Sequence, residues 1–504
     1  MSRVGRLPLP QNRAFWILLA LVIKGAFFAW YLSRTYYHDI TGFWGQSNGD
    51  MMTYINPVEG LLAGQGFQTD DRMPGYPGLY LAFRLVLPAA MACNALILLQ
   101  LLVSAVSVYV LGLVARQLFG QERAFYWAYF IYVFSTFVSV FDGYFLTESL
   151  AASATIFFLY AWLRFEAQPA RWVALVVAGG WLAWSVFLKP AHLPLLGVPV
   201  AIWAVQCWQG RLAVGRVVRY SALFLLPFLL ADGAWTLRNY RRYHEVIPLL
   251  KNAWYPESYW PANYFDLMAF CQTYGEDYAY WFPNTGIRWL QGWGNGNFLP
   301  PVRWYVKEEL APPPNYVYTS VFSPDSIAQV RTLCYELGNA PGLTPTRITA
   351  IRAELKDRLT RYTKSVRAEK PHIYYGWALI RYTSTFLHGT WGYNFLEDIL
   401  RTGWVRFLLR LYHYCFVLVP GLIGLVLLTR RGIRSDSRLL ALPLFMAYCV
   451  GVYVVVLRHP ETRYLVPFYP ILVLSAVSSF LTLTHFTPYK PDSYGIPFRH
   501  SADL

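Results

Sequence analysis

The chain has 504 residues, 56% of them hydrophobic and only 14% charged, against about 25% charged in an ordinary soluble domain. Its apolar residues fall in runs of about 20, the helix length that spans a bilayer's hydrocarbon core, without the alternation of barrel strands; a soluble globular protein and a β-barrel are both excluded. The net charge of +15 would suit nucleic acid, but the basic residues cluster in short stretches between apolar runs, where membrane topology places them, so no nucleic-acid partner is expected.

A basic stretch (Arg3, Arg6, Arg13) precedes the first apolar run, Ala14 to Leu32. No small-residue cleavage site follows it, so the run reads as an uncleaved first helix. Ten transmembrane helices are predicted in all, near 14–33, 95–115, 124–141, 144–163, 172–188, 192–208, 219–237, 405–429, 438–457 and 464–484. With the N-terminus inside, the cytoplasmic loops hold Arg116 and Arg123, Arg164 and Arg171, Arg211 and Arg216, and Arg430, Arg431 and Arg434. That is the positive-inside pattern. Residues 75–92 are apolar, but crossing there would invert every later loop. The segment also carries Arg84, Pro77 and Pro88, and reads as a helix in the outer interface; 376–390 receives the same reading.

The expected fold class is an all-α polytopic membrane protein with an extracytoplasmic mixed domain. A transmembrane module covers 1–240, with its first external loop at 34–94. An extracytoplasmic segment covers 241–402, C-terminal membrane helices 403–484, and a cytoplasmic tail 485–504. Cys271 and Cys334 both fall in the extracytoplasmic segment; in an oxidising compartment they could pair, or they remain two buried thiols.

The unusual polar residues of the membrane module map to one side of the bilayer. Asp50 lies in the first external loop and Arg72 follows it, after Asp70 and Asp71, which read as an ordinary polar turn outside the site. Asp142 and Glu148 stand at the outer end of the fourth helix, Lys189 ends the fifth, and Trp235 to Asn239 end the seventh. The string Arg458-His459-Pro460-Glu461-Thr462-Arg463-Tyr464 joins the ninth to the tenth. Taken singly, each has an ordinary explanation as an interface anchor, a helix cap or a solvated loop charge. Together they place acids and bases where a loop meets the outer leaflet. Ionisable groups at that depth are retained where they pair or do a job.

Lipid-linked sugar transfer suits this pattern. A carboxylate takes a proton from the acceptor, and cations stabilise the departing phosphate, arginine by its planar fork. Sugar nucleotides are cytoplasmic, so an outward-facing transferase needs a lipid carrier as donor.

The sequence here resembles the C-type (GT-C) polytopic glycosyltransferase superfamily, in particular bacterial relatives of protein O-mannosyltransferases and lipid A aminoarabinose transferases. The carriers of the resemblance are Asp50 with Tyr54, Arg72-Met73-Pro74-Gly75-Tyr76-Pro77, Leu146-Thr147-Glu148, Trp235 to Asn239, and Arg463-Tyr464 with Pro467. It implies inverting transfer from a polyprenyl-phosphate sugar on the outer face of a bacterial cytoplasmic membrane. Asp50 would be the general base and Glu148 a second acid. Arg72, Lys189, Arg238, His459 and Arg463 would bind the donor phosphate, with Tyr54, Tyr76, Trp235, Asn239 and Tyr464 contacting substrate. The Pro-Gly-Tyr-Pro turn after Arg72 departs from the Lys-Pro-Pro or His-Pro-Pro of other branches. Trp254, Tyr255, Tyr259 and Trp260 could stack on sugar rings or simply build a loop core. Some relatives use a divalent metal at the paired acids, but no ligand spacing here is diagnostic, so no cofactor is expected. A lipid-linked glycan transporter or flippase, and a glycan polymerase or ligase, stay open as alternatives.

Overall fold

The computed structural model describes residues 13–33, 40–46, 50–68, 72–251, 263–276, 313–339, 342–388 and 403–484. Among these, every regular element is helical, and extended backbone meets only at one isolated parallel bridge, Gln46 to Tyr144. In chain order the helices are α1 Arg13–Leu32, α2 Met51–Leu62, α3 Pro77–Arg84, α4 Ala89–Phe119, α5 Glu122–Val133, α6 Thr136–Val140, α7 Glu148–Ala167, α8 Trp172–Leu188, α9 Gly197–Trp208 and α10 Val214–Tyr243. There follow α11 Tyr264–Cys271, α12 Pro324–Asn339, α13 Pro345–Glu369, α14 Ala378–His388, α15 Gly403–Tyr412, α16 Val419–Arg434, α17 Ala441–Val450 and α18 Tyr469–Thr484.

Eight helical stretches among the described residues are long and apolar enough to cross a bilayer. They correspond to eight of the ten predicted spans. The ninth, predicted as one helix over 124–141, is a pair, α5 and α6, bent by 51°. Ser135 leaves helical geometry (φ −75°, ψ 93°), and the Ile131 carbonyl at the break accepts from both the Ser135 and Tyr412 hydroxyls at 2.6 and 2.7 Å. Polar backbone freed by a bend in the apolar layer is thereby satisfied. The tenth is α8, 17 residues long, at the short limit for a span.

The start of the fourth predicted helix also shifts. It begins at Glu148, not near 144, because residues 143–145 are drawn into backbone pairing with the first external loop. Residues 75–92 contribute the eight-residue α3, too short to cross, and the first turn of α4, which starts at Ala89. The apolar stretch near 376 forms α14, which packs against the turns at 451–456 and 462–468.

The central packing joins α7 to α8 and α4, α4 to α1 and α5, α8 to α10, and α16 to α18. Where helices associate without a hydrophobic driving force, small residues let backbones approach. Gly424 of α16 lies on the α18 backbone so closely that a Cβ would overlap the Ser475 carbonyl. A second hydrophobic cluster, apart from the main one, is built by α11, α12, α13 and neighbouring turns, with Leu267, Phe270, Phe322, Ile351 and Leu355 at its centre. Cys271 and Cys334 are buried thiols of this cluster.

Charges sort to the two ends of the bundle. Arg164 closes α7 and Arg116 closes α4, while Arg431 and Arg434 close α16. Arg211 reaches the Ser435 carbonyl at 3.4 Å, which places its loop beside theirs. Glu148 opens α7 at the opposite end.

Candidate active site

The parallel bridge builds the site. The Gln46 amide donates to the Gly143 carbonyl at 2.7 Å and the Phe145 amide to the Gln46 carbonyl at 3.0 Å. Both strands of this pairing run in the same direction. Asp50 lies as far beyond Gln46 as Glu148 lies beyond Tyr144, and each carboxylate stands at the start of a helix, α2 or α7. Negative charge is favoured at that helix end.

Cations from three further segments close on these acids. Arg72 reaches Asp50 Oδ1 at 3.1 Å and Arg463 reaches Asp50 Oδ2 at 2.6 Å. Arg72 Nε also donates to the Thr53 hydroxyl at 2.7 Å, and that hydroxyl donates to the Asp50 carbonyl at 2.6 Å. Lys189, at the end of α8, meets Glu148 Oε1 at 2.8 Å. Arg463 further pairs with Glu461 at 2.7 Å and approaches Glu148 at 4.0 Å. His459 lies 3.2 Å from the other Glu461 oxygen. Arg463 is thus shared by three carboxylates. The Glu148 side chain is 3% exposed and that of Asp50 20%, so Asp50 is the acid nearer to an incoming molecule. Glu148 Oε2 is buried and has no hydrogen-bond partner among the described residues.

Aromatic rings wall the cluster. The Lys189 ammonium lies 4.7 Å from the Tyr464 ring centroid and the Arg72 guanidinium 4.9 Å from that of Tyr54, both within cation–π range. Tyr464 stacks on Tyr453 at 4.7 Å. Tyr54 meets Tyr76 edge-on at 5.1 Å. The Tyr76 hydroxyl donates to Gln100 at 2.7 Å, and Gln100 in turn donates to the Asp142 and Tyr144 carbonyls.

Burial moves the titrations here. It pushes the Tyr54 phenol up to about 12 against the opposing pull of Arg72, so the hydroxyl stays protonated. Burial lowers the Lys189 ammonium, with Glu148 opposing and Arg463 reinforcing the shift. For Glu461 burial favours the neutral acid, yet Arg463 and His459 together hold its carboxyl below the usual value.

The predicted site residues therefore divide in two. Asp50, Glu148, Arg72, Lys189, His459, Arg463, Tyr54, Tyr76 and Tyr464 come together. Trp235, Arg238 and Asn239 form their own group at the end of α10. There Arg238 donates to the Phe67 carbonyl and lies 4.6 Å from the Trp235 ring centroid. Trp235 and Asn239 hold the carbonyls of Leu249 and Ile247 at 2.6 and 2.8 Å. Asp142 also turns away, into a fully buried pair with Lys24 of α1 at 2.8 Å that the Ser104 and Ser149 hydroxyls complete. Glu461 and Thr53 join the site although the sequence assigned neither a role there; the signal for Glu461 is its place two residues before Arg463. Trp254, Tyr255, Tyr259, Trp260 and the tail from 485 lie outside the described residues. Among those described, no three His, Cys, Asp or Glu side chains converge to hold a metal ion.

An apolar groove of about 260 Å³ is lined by Pro74, Gly75, Ala183, Trp184, Phe187 and Pro227 among others. A Cβ at Gly75 would lie 2.6 Å from the Phe187 carbonyl, so glycine is needed for α8 to come this close.

These features define a class: a polytopic helical membrane protein with a carboxylate–guanidinium site at the end of its bundle opposite the arginine-rich loops. No family model matches the chain, and no curated protein does. Among solved structures, the crystal structure of ArnT from Cupriavidus metallidurans in the apo state is similar, at 14% identity and a TM-score of 0.34, covering 92% of this chain and 78% of that one.

Proposed function

We propose that the chain is an inverting glycosyltransferase that moves a sugar from a polyprenyl-phosphate donor to an acceptor at the outer face of the cytoplasmic membrane, with Asp50 as general base. The observation that carries this reading is Asp50 seated between Arg72 and Arg463, with Lys189 and Glu148 alongside. Donor phosphate oxygens take up the two guanidinium groups, whose forks suit phosphate as well as carboxylate. Asp50, released from them, accepts the proton of an acceptor hydroxyl or amine as that group attacks the anomeric carbon. The bond from that carbon to the phosphate oxygen breaks, its electron pair stays on the phosphate, and Arg72, Arg463 and Lys189 stabilise the charge. The apolar groove supports a lipid-linked donor: its wall at Pro74 is two residues after Arg72, and its wall at Phe187 is two residues before Lys189.

The test is transfer of a labelled sugar from a polyprenyl phosphate by the purified protein in detergent. Asp50→Asn should lower the rate by about 10²–10⁴-fold, the range for loss of a general base, while the protein keeps its fold and its donor affinity. Full activity in that variant removes Asp50 from the mechanism. Product formed without a second compartment rules out a pure transporter. The transporter alternative would look to Lys24 and Asp142 inside the bundle, but that pair is closed on itself by serine hydroxyls. A polymerase or ligase shares the same site logic and would differ in the size of the acceptor.

A further inference from the structure

Arg458 lies outside the cluster just described, yet it is the most constrained residue in the loop that carries His459, Glu461 and Arg463. Its φ is 49°, in the left-handed region that residues with a side chain seldom enter. Such strain persists only where the surroundings hold it. Here they do. The guanidinium is buried and donates to the carbonyls of Gln272 and Tyr374 at 2.8 and 2.9 Å, with the Tyr374 ring centroid 3.7 Å away. Gln272 answers from α11's end of the second cluster, its amide donating to the Leu457 and Arg458 carbonyls at 3.1 and 3.3 Å. One residue on, the His459 amide returns to the Tyr453 carbonyl at 2.7 Å.

Among the described residues, the partners of Arg458 are backbone oxygens and an aromatic face. A buried cation without a carboxylate is costly, and burial lowers its pKa. A residue that served only as a surface anchor would not be drawn in this way. The left-handed turn sends the Arg458 side chain toward the second cluster, while Arg463 turns to Asp50 and Glu461 to Arg463.

We infer that Arg458 is a positioning residue: with Gln272 it fastens the loop 457–463 to the second helical cluster and so fixes where Glu461 and Arg463 stand. The inference rests on Arg463 and Glu461 belonging to the active site. It makes the second cluster part of the machinery that shapes the site, without requiring it to touch substrate.

The experiment uses the full chain in detergent, with Gln272→Leu, Arg458→Ala, Arg458→Gly and the double variant Gln272→Leu/Arg458→Gly. Glycine accepts the left-handed backbone without strain, so Arg458→Gly removes the clamp and spares the turn. Hydrogen exchange is read on peptides covering 453–466, and transfer is measured in parallel with kcat and KM for the donor separated. In the Arg458 variants the His459 and Tyr464 amides should exchange at least about tenfold faster, the size of one lost hydrogen bond to a charged group, and in Gln272→Leu, which loses neutral bonds, by about fivefold. Transfer should fall, and the double variant should be no worse than either single one, as expected of residues in one network. Arg458→Gly with native protection and native transfer would overturn the inference, since the turn and not the clamp would then set the loop. Additive losses would overturn it too. If the wild-type protein fails to transfer sugar, the proposed function falls, and the exchange measurement still decides the role of Arg458.

Discussion

Arg463 touches Asp50 and Glu461 with its two ends and stands 4.0 Å from Glu148. Lysine at this position keeps the charge but has no planar fork to span two carboxylates. Arg463→Lys should therefore lower transfer by about 10²–10³-fold, as loss of one preorganised transition-state donor does, with the donor KM and kcat measured separately. Glu461 supplies a pH signature. Its folded pKa lies below the ordinary value of 4.5, so the stability it contributes is complete above that value and is lost as pH falls through the lower one. Thermal unfolding in detergent should show a fall in midpoint below about pH 4.5 that Glu461→Gln, already uncharged, largely lacks. Asp50, Glu148 and Arg463 were legible in the sequence because charged residues are conspicuous at the ends of apolar runs. Glu461 looked like one more loop charge, and only the folded 458–463 turn aims it at Arg463. Trp235, Arg238 and Asn239 carry the same sequence signal as the site, yet their partners are the nearby carbonyls of Phe67, Ile247 and Leu249, a choice that depends on loop geometry.

At the level of elements, α1 is held to the turn at 141–143 by Lys24 and Asp142, both wholly buried. Removing one partner strands the other charge. Lys24→Met should cost about 3–5 kcal/mol, read as loss of folded protein on size-exclusion in detergent, and Lys24→Met with Asp142→Asn should recover much of it. If the single variant is as stable as the wild type, the pair is not holding α1. The α16–α18 contact makes a second test. Gly424→Val places a branched side chain against the α18 backbone, and overpacking of this kind costs about 1–3 kcal/mol or more; Gly215, with open space around it, should tolerate alanine. Helix order and the places of eight of the ten predicted spans were readable from hydropathy, since a 20-residue apolar run has few alternatives in lipid. The bend at Ser135 and the late start of α7 were not, because both depend on partners distant in sequence, Tyr412 and Gln46.

For the whole molecule, the two ends of the bundle differ in kind, one carrying arginine-rich turns and the other the mixed-charge cluster. The positive-inside rule assigns the first to the cytoplasm. A cysteine placed at Gln168 should react with a membrane-impermeant maleimide only after cells are opened, and one at Gln65 should react in intact spheroplasts. Labelling of both from the same side would remove the outer-face assignment. The second helical cluster was legible only as a long region rich in aromatic residues; that its Gln272 reaches the loop before Arg463 could not be read from any local pattern.

Asp50, Glu148 and Glu461 stand against Arg72, Lys189 and Arg463, and both oxygens of the proposed base face guanidinium groups. An acceptor arriving first would meet Asp50 with both oxygens engaged by arginine, a weaker base than the carboxylate that the donor phosphate releases. Steady-state kinetics should accordingly be sequential with a compulsory order, the lipid phosphate leading. Free polyprenyl phosphate would then compete with the donor, and an unreactive acceptor analogue would inhibit uncompetitively against it.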